Sequence, residues 1–176
     1  GPVIAGVSTN NSTGCMIIPA GPTENRGGRG RMVIYGGSNN SNYQTDMNLV
    51  EIATIGDAID FGDLVTDAGF SSGMASATRG VFKQGRGASG YVDTMRFVTF
   101  SSLGGITDFG HDRGPSQDSS ASSSNGIRGI FGNGTSYDAV IRSINIASTG
   151  DSYEFGTLGQ GLYMGGGSGG GSPTRG

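Results

Sequence analysis

Apolar residues recur along this chain in short runs, and the runs themselves recur about every 48 residues. Each copy can be anchored on a tyrosine, after which apolar residues stand four, seven and nine positions later and an acid-Phe-Gly triplet begins seventeen positions later. The anchors are Tyr43, Tyr91 and Tyr137, and no insertion separates anchor from glycine in any copy. A period of this size is typical of solenoids and propellers, in which each copy is one supersecondary unit.

Each copy predicts short strands separated by turn residues, and no helix. An apolar run such as Val81-Phe82 comes first, glycines follow it, and a polar loop leads to the anchor tyrosine. A longer strand, rich in β-branched and aromatic residues, is then predicted over 48–54, 96–101 and 142–148. A glycine-containing turn precedes the acid-Phe-Gly triplet, which begins a further strand. Four short antiparallel strands per copy match one propeller blade, so an all-β, β-propeller-type repeat is predicted.

The copies predict a single repeat domain over 1–176. We expect a degenerate N-terminal unit at 1–30, followed by repeat units at 31–79, 80–127 and 128–176. The last three residues repeat the Thr78-Arg79-Gly80 sequence, and residues 3–7 resemble the apolar strand that follows Arg-Gly elsewhere. Residues 3–7 are therefore expected to supply that strand, within the chain or between subunits, because open strand edges favour such pairing.

Composition favours a folded chain with several thin cores. Glycine provides 36 of the 176 residues, yet the net charge is only −3 and 14% of the residues are charged. Hydrophobic residues make up 34% of the chain, and a disordered chain of low hydrophobicity usually carries a high net charge. The chain has no basic run, so nucleic acid is not an expected partner. No stretch approaches the roughly 20 apolar residues of a membrane span, so membrane insertion is not expected either.

Two stretches carry a family resemblance, Ile146-Ala147-Ser148-Thr149-Gly150 and Asp60-Phe61-Gly62-Asp63-Leu64. Together with the recurring Arg-Gly-(Val/Ile)-Phe run, they resemble the kelch-like repeats in virion proteins of tailed bacteriophages, particularly those of cyanobacteria and other aquatic hosts. The resemblance covers about residues 31–176 and departs from the pattern at His111, at Thr157 and in residues 1–30. It implies a kelch-like, β-propeller-type fold, a place on the extracellular virion particle, and a structural or host-attachment role such as that of a tail fibre.

Three kinds of residue recur in step and are interpreted as structural. They are an arginine, an acid and a phenylalanine: Arg79, Arg128 and Arg175; Asp60, Asp108 and Glu154; Phe61, Phe109 and Phe155. Each arginine is expected to pair with the acid of its repeat or with backbone carbonyls, and so to join neighbouring units. The alternative is a ring of arginines that binds anionic glycans or phosphates. Recurrence in every copy favours the structural role, since a recognition site would differ between copies.

Aromatic and amide side chains in the loops are the candidate glycan-binding residues, because sugars are bound by aromatic faces and planar amides. They are Asn39, Asn40, Tyr43, Tyr91, Asn133 and Tyr137. The tyrosines recur in register, so packing at the start of a strand is the alternative role for them.

Catalytic and metal sites have little support in the sequence. The single histidine, His111, and the single cysteine, Cys15, do not supply the several ligands that a zinc or copper site needs. His111 is interpreted as a variable, exposed loop position and Cys15 as a small, semi-buried residue. Asp57, Asp60 and Asp63 form a candidate calcium loop, but turn capping is the favoured role of Asp57. No cofactor is expected.

The sequence supports three functions to different degrees. The first is a non-catalytic virion structural or tail-fibre protein that forms homo-oligomers, contacts other virion proteins and attaches to a host-surface glycan. The second is a secreted or virion carbohydrate-binding adhesin that uses the loop asparagines and tyrosines. The third is an enzyme that cleaves polysaccharide with paired carboxylates. It is the weakest, because the recurring acids fit a structural role, so the chain is predicted not to be an enzyme.

Overall fold

The chain folds as an all-β protein. The computed structural model describes residues 31–39, 42–52, 54–115, 120–132, 134 and 137–161. All regular structure in these residues is β, in fourteen strands, so the all-β prediction is confirmed for them. They contain no helix that could cross a membrane. The expectations for residues 1–30, including the pairing of residues 3–7, lie outside the described residues.

The strands form three antiparallel sheets of four strands each and one short ribbon. Sheet I contains β1 (Arg31–Tyr35), β2 (Ser38–Asn39), β3 (Asn42–Glu51) and β4 (Ile59–Ala68). Sheet II contains β5 (Ser72–Ala75), β6 (Arg79–Lys83), β9 (Thr94–Thr99) and β10 (Thr107–His111), and sheet III contains β11 (Ala121–Ser124), β12 (Arg128–Gly132), β13 (Val140–Asn145) and β14 (Tyr153–Thr157). The ribbon pairs β7 (Arg86–Gly87) with β8 (Gly90–Tyr91). Over the described ranges, the sheets form no closed barrel or propeller.

The main hairpin has the same register in all three sheets. In sheet II, Arg96 lies opposite Asp108 and Met95 lies opposite Gly110, which leaves Phe109 in a β-bulge. The same shift separates the equivalent pairs of sheet I, Asn48–Asp60 and Met47–Gly62, and of sheet III, Arg142–Glu154 and Ile141–Gly156. A bulge adds one residue to one strand and bends it. The acid-Phe-Gly triplet is therefore the bulge of each hairpin.

Within the described part of the chain, two apolar cores lie between successive sheets. The first joins Phe61 and Leu64 of sheet I to Phe82 of sheet II, and the second joins Phe109 of sheet II to Phe131 of sheet III. Successive side chains of a strand point to opposite faces. This alternation puts Phe82 in the first core and its neighbour Val81 in the second, so sheet II is buried on both faces. Each sheet is thus stabilised by its neighbours rather than by itself.

Side chains of sheet III cover the outer edge of β5. Ser122 Oγ donates a hydrogen bond to the Gly73 carbonyl at 2.9 Å, and Ser124 Oγ donates to the Ala75 carbonyl at 3.0 Å. These bonds satisfy edge groups that would otherwise invite pairing with another chain. Because β5 pairs with β6, sheet II begins one strand before the repeat boundary that the sequence suggests near Arg79.

Candidate functional site

A recurring arginine joins each sheet to the next. Arg31 Nη1 of sheet I donates to the Phe100 carbonyl, just after β9, at 2.5 Å. Arg79 Nη1 of sheet II donates to the Ile146 carbonyl, just after β13, at 3.0 Å. The strand registers make the two arginines equivalent, and both carbonyls stand nine residues after an anchor tyrosine. Of the structural partners predicted for the arginines, Arg79 therefore binds the backbone carbonyl of the next unit.

Sequence reasoning missed Arg31 as a member of this set. Its neighbour is Met32, whereas glycine follows Arg79 and Arg128. Arg128 lies in sheet III with its guanidinium carbon 5.4 Å from the ring centre of Phe155, a cation–π arrangement. Arg175 lies outside the described residues.

The acid of the triplet stabilises the bulge of its own hairpin. Asp60 Oδ1 accepts a hydrogen bond from the Gly62 amide at 2.8 Å, and Asp108 Oδ1 accepts one from the Gly110 amide at 3.1 Å. A carboxylate that accepts an amide two residues later is a common turn device. This geometry holds the first two triplets in their bulges while Phe61 and Phe109 point into the cores.

Backbone hydrogen bonds connect the end of β10 to the turn before β14. The Gly150 amide donates to the Phe109 carbonyl at 2.7 Å, and the Ser152 amide donates to the His111 carbonyl at 2.9 Å. Gly110 lies at this contact with a φ of 142°, and a Cβ there would overlap the Gly150 carbonyl. Only glycine tolerates both the backbone conformation and the approach.

The boundary between sheets I and II repeats this close approach. Gly62 has a φ of 122°, and a Cβ built on it would lie 3.2 Å from the Cα of Gly104. Gly104 and Gly150 both stand thirteen residues after an anchor tyrosine. The two boundaries between sheets therefore share one construction, an arginine-to-carbonyl bond beside a glycine-to-glycine contact.

A buried ionic cluster occupies the boundary between sheets II and III, and sequence reasoning missed it. Asp112 follows β10 and accepts a hydrogen bond from Ser152 Oγ at 3.0 Å. Lys83 Nζ lies 3.7 Å from Asp112 Oδ2, and Arg142 Nε lies 3.5 Å from Asp112 Oδ1. Arg142 Nη1 also pairs with Asp138 Oδ2 at 2.7 Å. The cluster thus balances two cations with two carboxylates and crosses the boundary through Asp112 and Arg142.

The equivalent place between sheets I and II is apolar. Leu64 stands where Asp112 stands in sheet II, and Ile106 stands where Ser152 stands in sheet III. Leu64 is buried in the first core and Ile106 packs against that core. The two boundaries therefore share an arginine-to-carbonyl bond and a glycine-to-glycine approach but differ in polarity beside them. Such differences discriminate between partners, because a buried charge against an apolar surface is costly.

An exposed carboxylate, Asp151, lies beside the ionic cluster. Asp151 Oδ1 accepts a hydrogen bond from the His111 amide at 2.9 Å, and Asp151 Oδ2 is bound by the Arg113 guanidinium. The amide bond from His111 is the main cause, and the bond from Arg113 the second, of a lowered pKa for the Asp151 carboxyl. The His111 side chain itself is half exposed, with Nδ1 3.7 Å from Asp151 Oδ1.

The lowered pKa of Asp151 predicts an acid-dependent contribution to stability. A carboxyl whose folded pKa lies below its unfolded value stabilises the protein above the unfolded value, and this stabilisation is lost as the pH falls through the folded pKa. We expect the melting temperature of wild type to fall more steeply than that of Asp151→Asn below about pH 4. Thermal melts followed by circular dichroism from about pH 7 to about pH 2 test this. Parallel pH profiles would contradict it.

The arginine link predicts a second difference in stability. Arg79→Met keeps a long apolar stem but leaves the Ile146 carbonyl without its donor, which should cost about 1–3 kcal/mol of unfolding free energy. Arg128→Met is the matched control, because Arg128 occupies the same strand position and is exposed. Urea denaturation in dilute solution compares the two variants. Equal losses would show that the bond between sheets is not the source of the effect.

The candidate glycan-binding residues are distributed over several elements. Asn39 is exposed on β2, and Tyr43 packs its ring edge-on to Phe70 at 6.3 Å between centroids. Tyr91 lies on β8 beneath the Arg86 guanidinium, and Tyr137 precedes β13 and is exposed. Tyr43 therefore has a packing role, whereas Tyr91 is half exposed beside Arg86 and Tyr137 is mostly exposed. Asn40 and Asn133 lie outside the described residues.

A groove of about 410 Å³ runs between sheets I and II beside β11. Its walls include Arg31, Tyr35, Met74, Phe100 and the hydroxyl-bearing strand β11. Tyr35 stacks on Phe82 with 4.1 Å between ring centroids, and burial raises the pKa of the Tyr35 phenol. None of the described residues that line the groove is acidic, so these residues do not supply the carboxylate pair of a glycosidase.

Metal-ligating side chains do not gather in the part of the chain that the structure describes. No group of three His, Cys, Asp or Glu residues there could hold a metal ion. Of the candidate calcium loop, Asp60 and Asp63 lie on β4, whereas Asp57 lies in the connection that precedes it. Cys15 lies outside the described residues.

Comparison with known proteins adds no family assignment. No protein-family model and no curated protein matches the chain.

Proposed function

We propose that this chain is a non-catalytic structural protein of a tailed-phage virion, built from kelch-like, β-propeller-type repeats of about 48 residues that form a tail fibre or another surface structure. The observation that carries the proposal is the arginine-to-carbonyl bond made twice, by Arg31 and by Arg79, at equivalent places on successive sheets. Its role is to join one unit to the next. Repeat proteins gain most of their stability from such contacts between neighbours.

The chemistry of the recurring residues supports an assembly role. The repeated acids Asp60 and Asp108 are engaged by backbone amides, and the repeated aromatics Phe61 and Phe109 are buried. These groups are therefore committed to folding and are not arranged around a substrate. A location on the virion particle, contacts with other virion proteins and attachment to the host surface belong to the same proposal and rest on the family resemblance.

Immunogold electron microscopy tests the virion assignment directly. Antibodies raised against the purified chain should label the tail or surface of intact particles of the phage that encodes it. Antibodies against an unrelated phage protein expressed in the same host provide the control. Label confined to host debris, with bare particles, would overturn the assignment.

A carbohydrate-binding adhesin is the second candidate function, and two exposed rings favour it. Tyr91 lies under Arg86, with 5.2 Å from the guanidinium carbon to the ring centre, and Tyr137 is 67% exposed. Exposed aromatic faces are common platforms for sugar rings. A glycan array should then show saturable binding that Tyr91→Ala or Tyr137→Ala weakens. Tyr153→Ala, an exposed tyrosine outside the candidate set, is the control, and an array without binding would remove this candidate.

A further inference from the structure

Sheet III repeats, on its outward side, the residues that sheets I and II use to hold their neighbours. Phe61 and Phe109 are each 2% exposed, whereas the equivalent Phe155 is 50% exposed. Gly156 stands where Gly62 and Gly110 make their close approaches, yet a Cβ on Gly156 would meet nothing within 4 Å. We call this surface the outgoing face of sheet III, defined by Ser123, Arg128, Phe155, Gly156 and Leu158.

Sheet I shows the complementary surface. Ile52 is 65% exposed, whereas the equivalent Phe100 and Ile146 are 8% and 0% exposed and offer their carbonyls to the arginines of the preceding sheets. Ile34 is also exposed, although its equivalents Phe82 and Phe131 are buried in the two cores. We call this surface the receiving face of sheet I, defined by Met32, Ile34, Ile52, Gly56 and Ala58; Met32 and Ile52 also border the groove between sheets I and II.

We propose that the outgoing face of sheet III binds the receiving face of sheet I in a second copy of this chain, so that the stack of sheets continues from one molecule to the next. The inference rests on the proposed function, because it names the partner of an assembly module. In the docked pair, Arg128 donates to the Ile52 carbonyl of the second copy, as Arg79 donates to Ile146 within one copy. Phe155 becomes buried, and Gly156 approaches the turn at Gly56.

Side-chain size and polarity match at this junction. Leu158 occupies the position that Leu64 has in sheet I, and in the docked pair it faces Ala58 of the second copy. This pair is apolar, like Leu64 and Ile106, and differs from the ionic cluster between sheets II and III. At the boundary between sheets II and III, Met74 occupies the space that Gly129 leaves open. At the junction between copies the small residue is on the outgoing face and the large one on the receiving face. Ser123 occupies the position of Met74, and Met32 occupies the position of Gly129. A large side chain thus meets a small one in both cases.

The contact joins two different faces, so it is heterologous and each copy keeps one face of each kind. Such contacts build closed rings where the rotation between copies closes, and linear polymers where it does not. Both faces carry exposed large apolar residues, Ile34 and Ile52 on the receiving face and Phe155 and Leu158 on the outgoing face. Exposed apolar patches mark interaction sites.

Analytical ultracentrifugation of the full chain tests the inference. Wild type should associate with increasing concentration, whereas Gly156→Glu and Ile52→Glu, each of which puts a charge into one face, should weaken association by about tenfold or more. Both positions are open in the single molecule, so circular dichroism melts in dilute solution should match wild type. Ile55→Glu is the control, because Ile55 is fully exposed and its equivalents, Leu103 and Thr149, are also exposed.

Mixing the two defective variants provides the decisive measurement. Gly156→Glu retains a receiving face and Ile52→Glu retains an outgoing face, so their mixture should form one-to-one dimers and stop there. A wild type that stays monomeric, self-association of either variant at wild-type strength, or an equal loss in Ile55→Glu would overturn the inference. Immunogold labelling bears on the virion assignment alone, so a particle without label would leave this result intact.

Discussion

Replacement of Gly110 by alanine is expected to lower the free energy of unfolding by about 3 kcal/mol or more. Gly110 has a φ of 142°, a region that L-residues avoid, and an alanine Cβ would overlap the Gly150 carbonyl across the boundary between sheets II and III. The obstacle is backbone, so no side-chain rotation relieves it. Relief requires β10 to separate from the turn at Gly150, which also breaks the bond from the Gly150 amide to the Phe109 carbonyl. Urea denaturation followed by circular dichroism measures the loss.

Gly156→Ala is the matched control for this prediction. Gly156 is the glycine of the third acid-Phe-Gly triplet, it lies outside the positive-φ region, and a Cβ there would meet nothing within 4 Å. In dilute solution its replacement should change stability by no more than about 0.5 kcal/mol. If both variants lose the same stability, the triplet glycine serves the hairpin itself and not the contact between sheets.

The contrast between Gly110 and Gly156 shows what the repeat pattern could and could not predict. Tyrosine and glycine are equally spaced in the three copies, and the three hairpins share one register at Gly62, Gly110 and Gly156. The bulge at the phenylalanine was not predicted, because a bulge changes neither residue type nor spacing. Burial was not predictable from the pattern either, since Phe109 and Phe155 both stand between an acid and a glycine, but among the described residues a neighbouring sheet covers Phe109 and leaves Phe155 half exposed.

Residues outside the repeat pattern were the hardest to interpret from sequence. Lys83, Asp112 and Arg142 come from positions that hold Tyr35, Leu64 and Asn48 in the first copy, so recurrence gives no signal for the cluster that they form. One signal was present: Lys83 is the only lysine and directly follows the buried pair Val81-Phe82 in a predicted strand. A lysine next to such a run is rarely buried unless a carboxylate pairs with it, so its position indicates a buried carboxylate partner.

Asp112→Asn is expected to cost about 3–5 kcal/mol of unfolding free energy, the usual consequence of removing one partner from a buried ion pair. Asparagine keeps the size of aspartate and can still accept the Ser152 hydroxyl, so the loss isolates the charge. Lys83 and Arg142 would then retain only Asp138 as a carboxylate of the cluster, although both cations are buried. Urea denaturation at neutral pH gives the magnitude.

Two further variants assign the effect to burial. Asp151→Asn removes a carboxylate that also binds an arginine across the same boundary but is exposed to solvent, and it should cost far less than Asp112→Asn. The double variant Lys83→Met with Asp112→Leu removes one charge of each sign. It makes the boundary between sheets II and III apolar at the position where Leu64 makes the boundary between sheets I and II apolar. This double variant should recover most of the loss, because well-packed apolar groups replace a buried pair at little cost. If it is as unstable as Asp112→Asn, the cluster stabilises the boundary through its hydrogen bonds and shape rather than through charge balance.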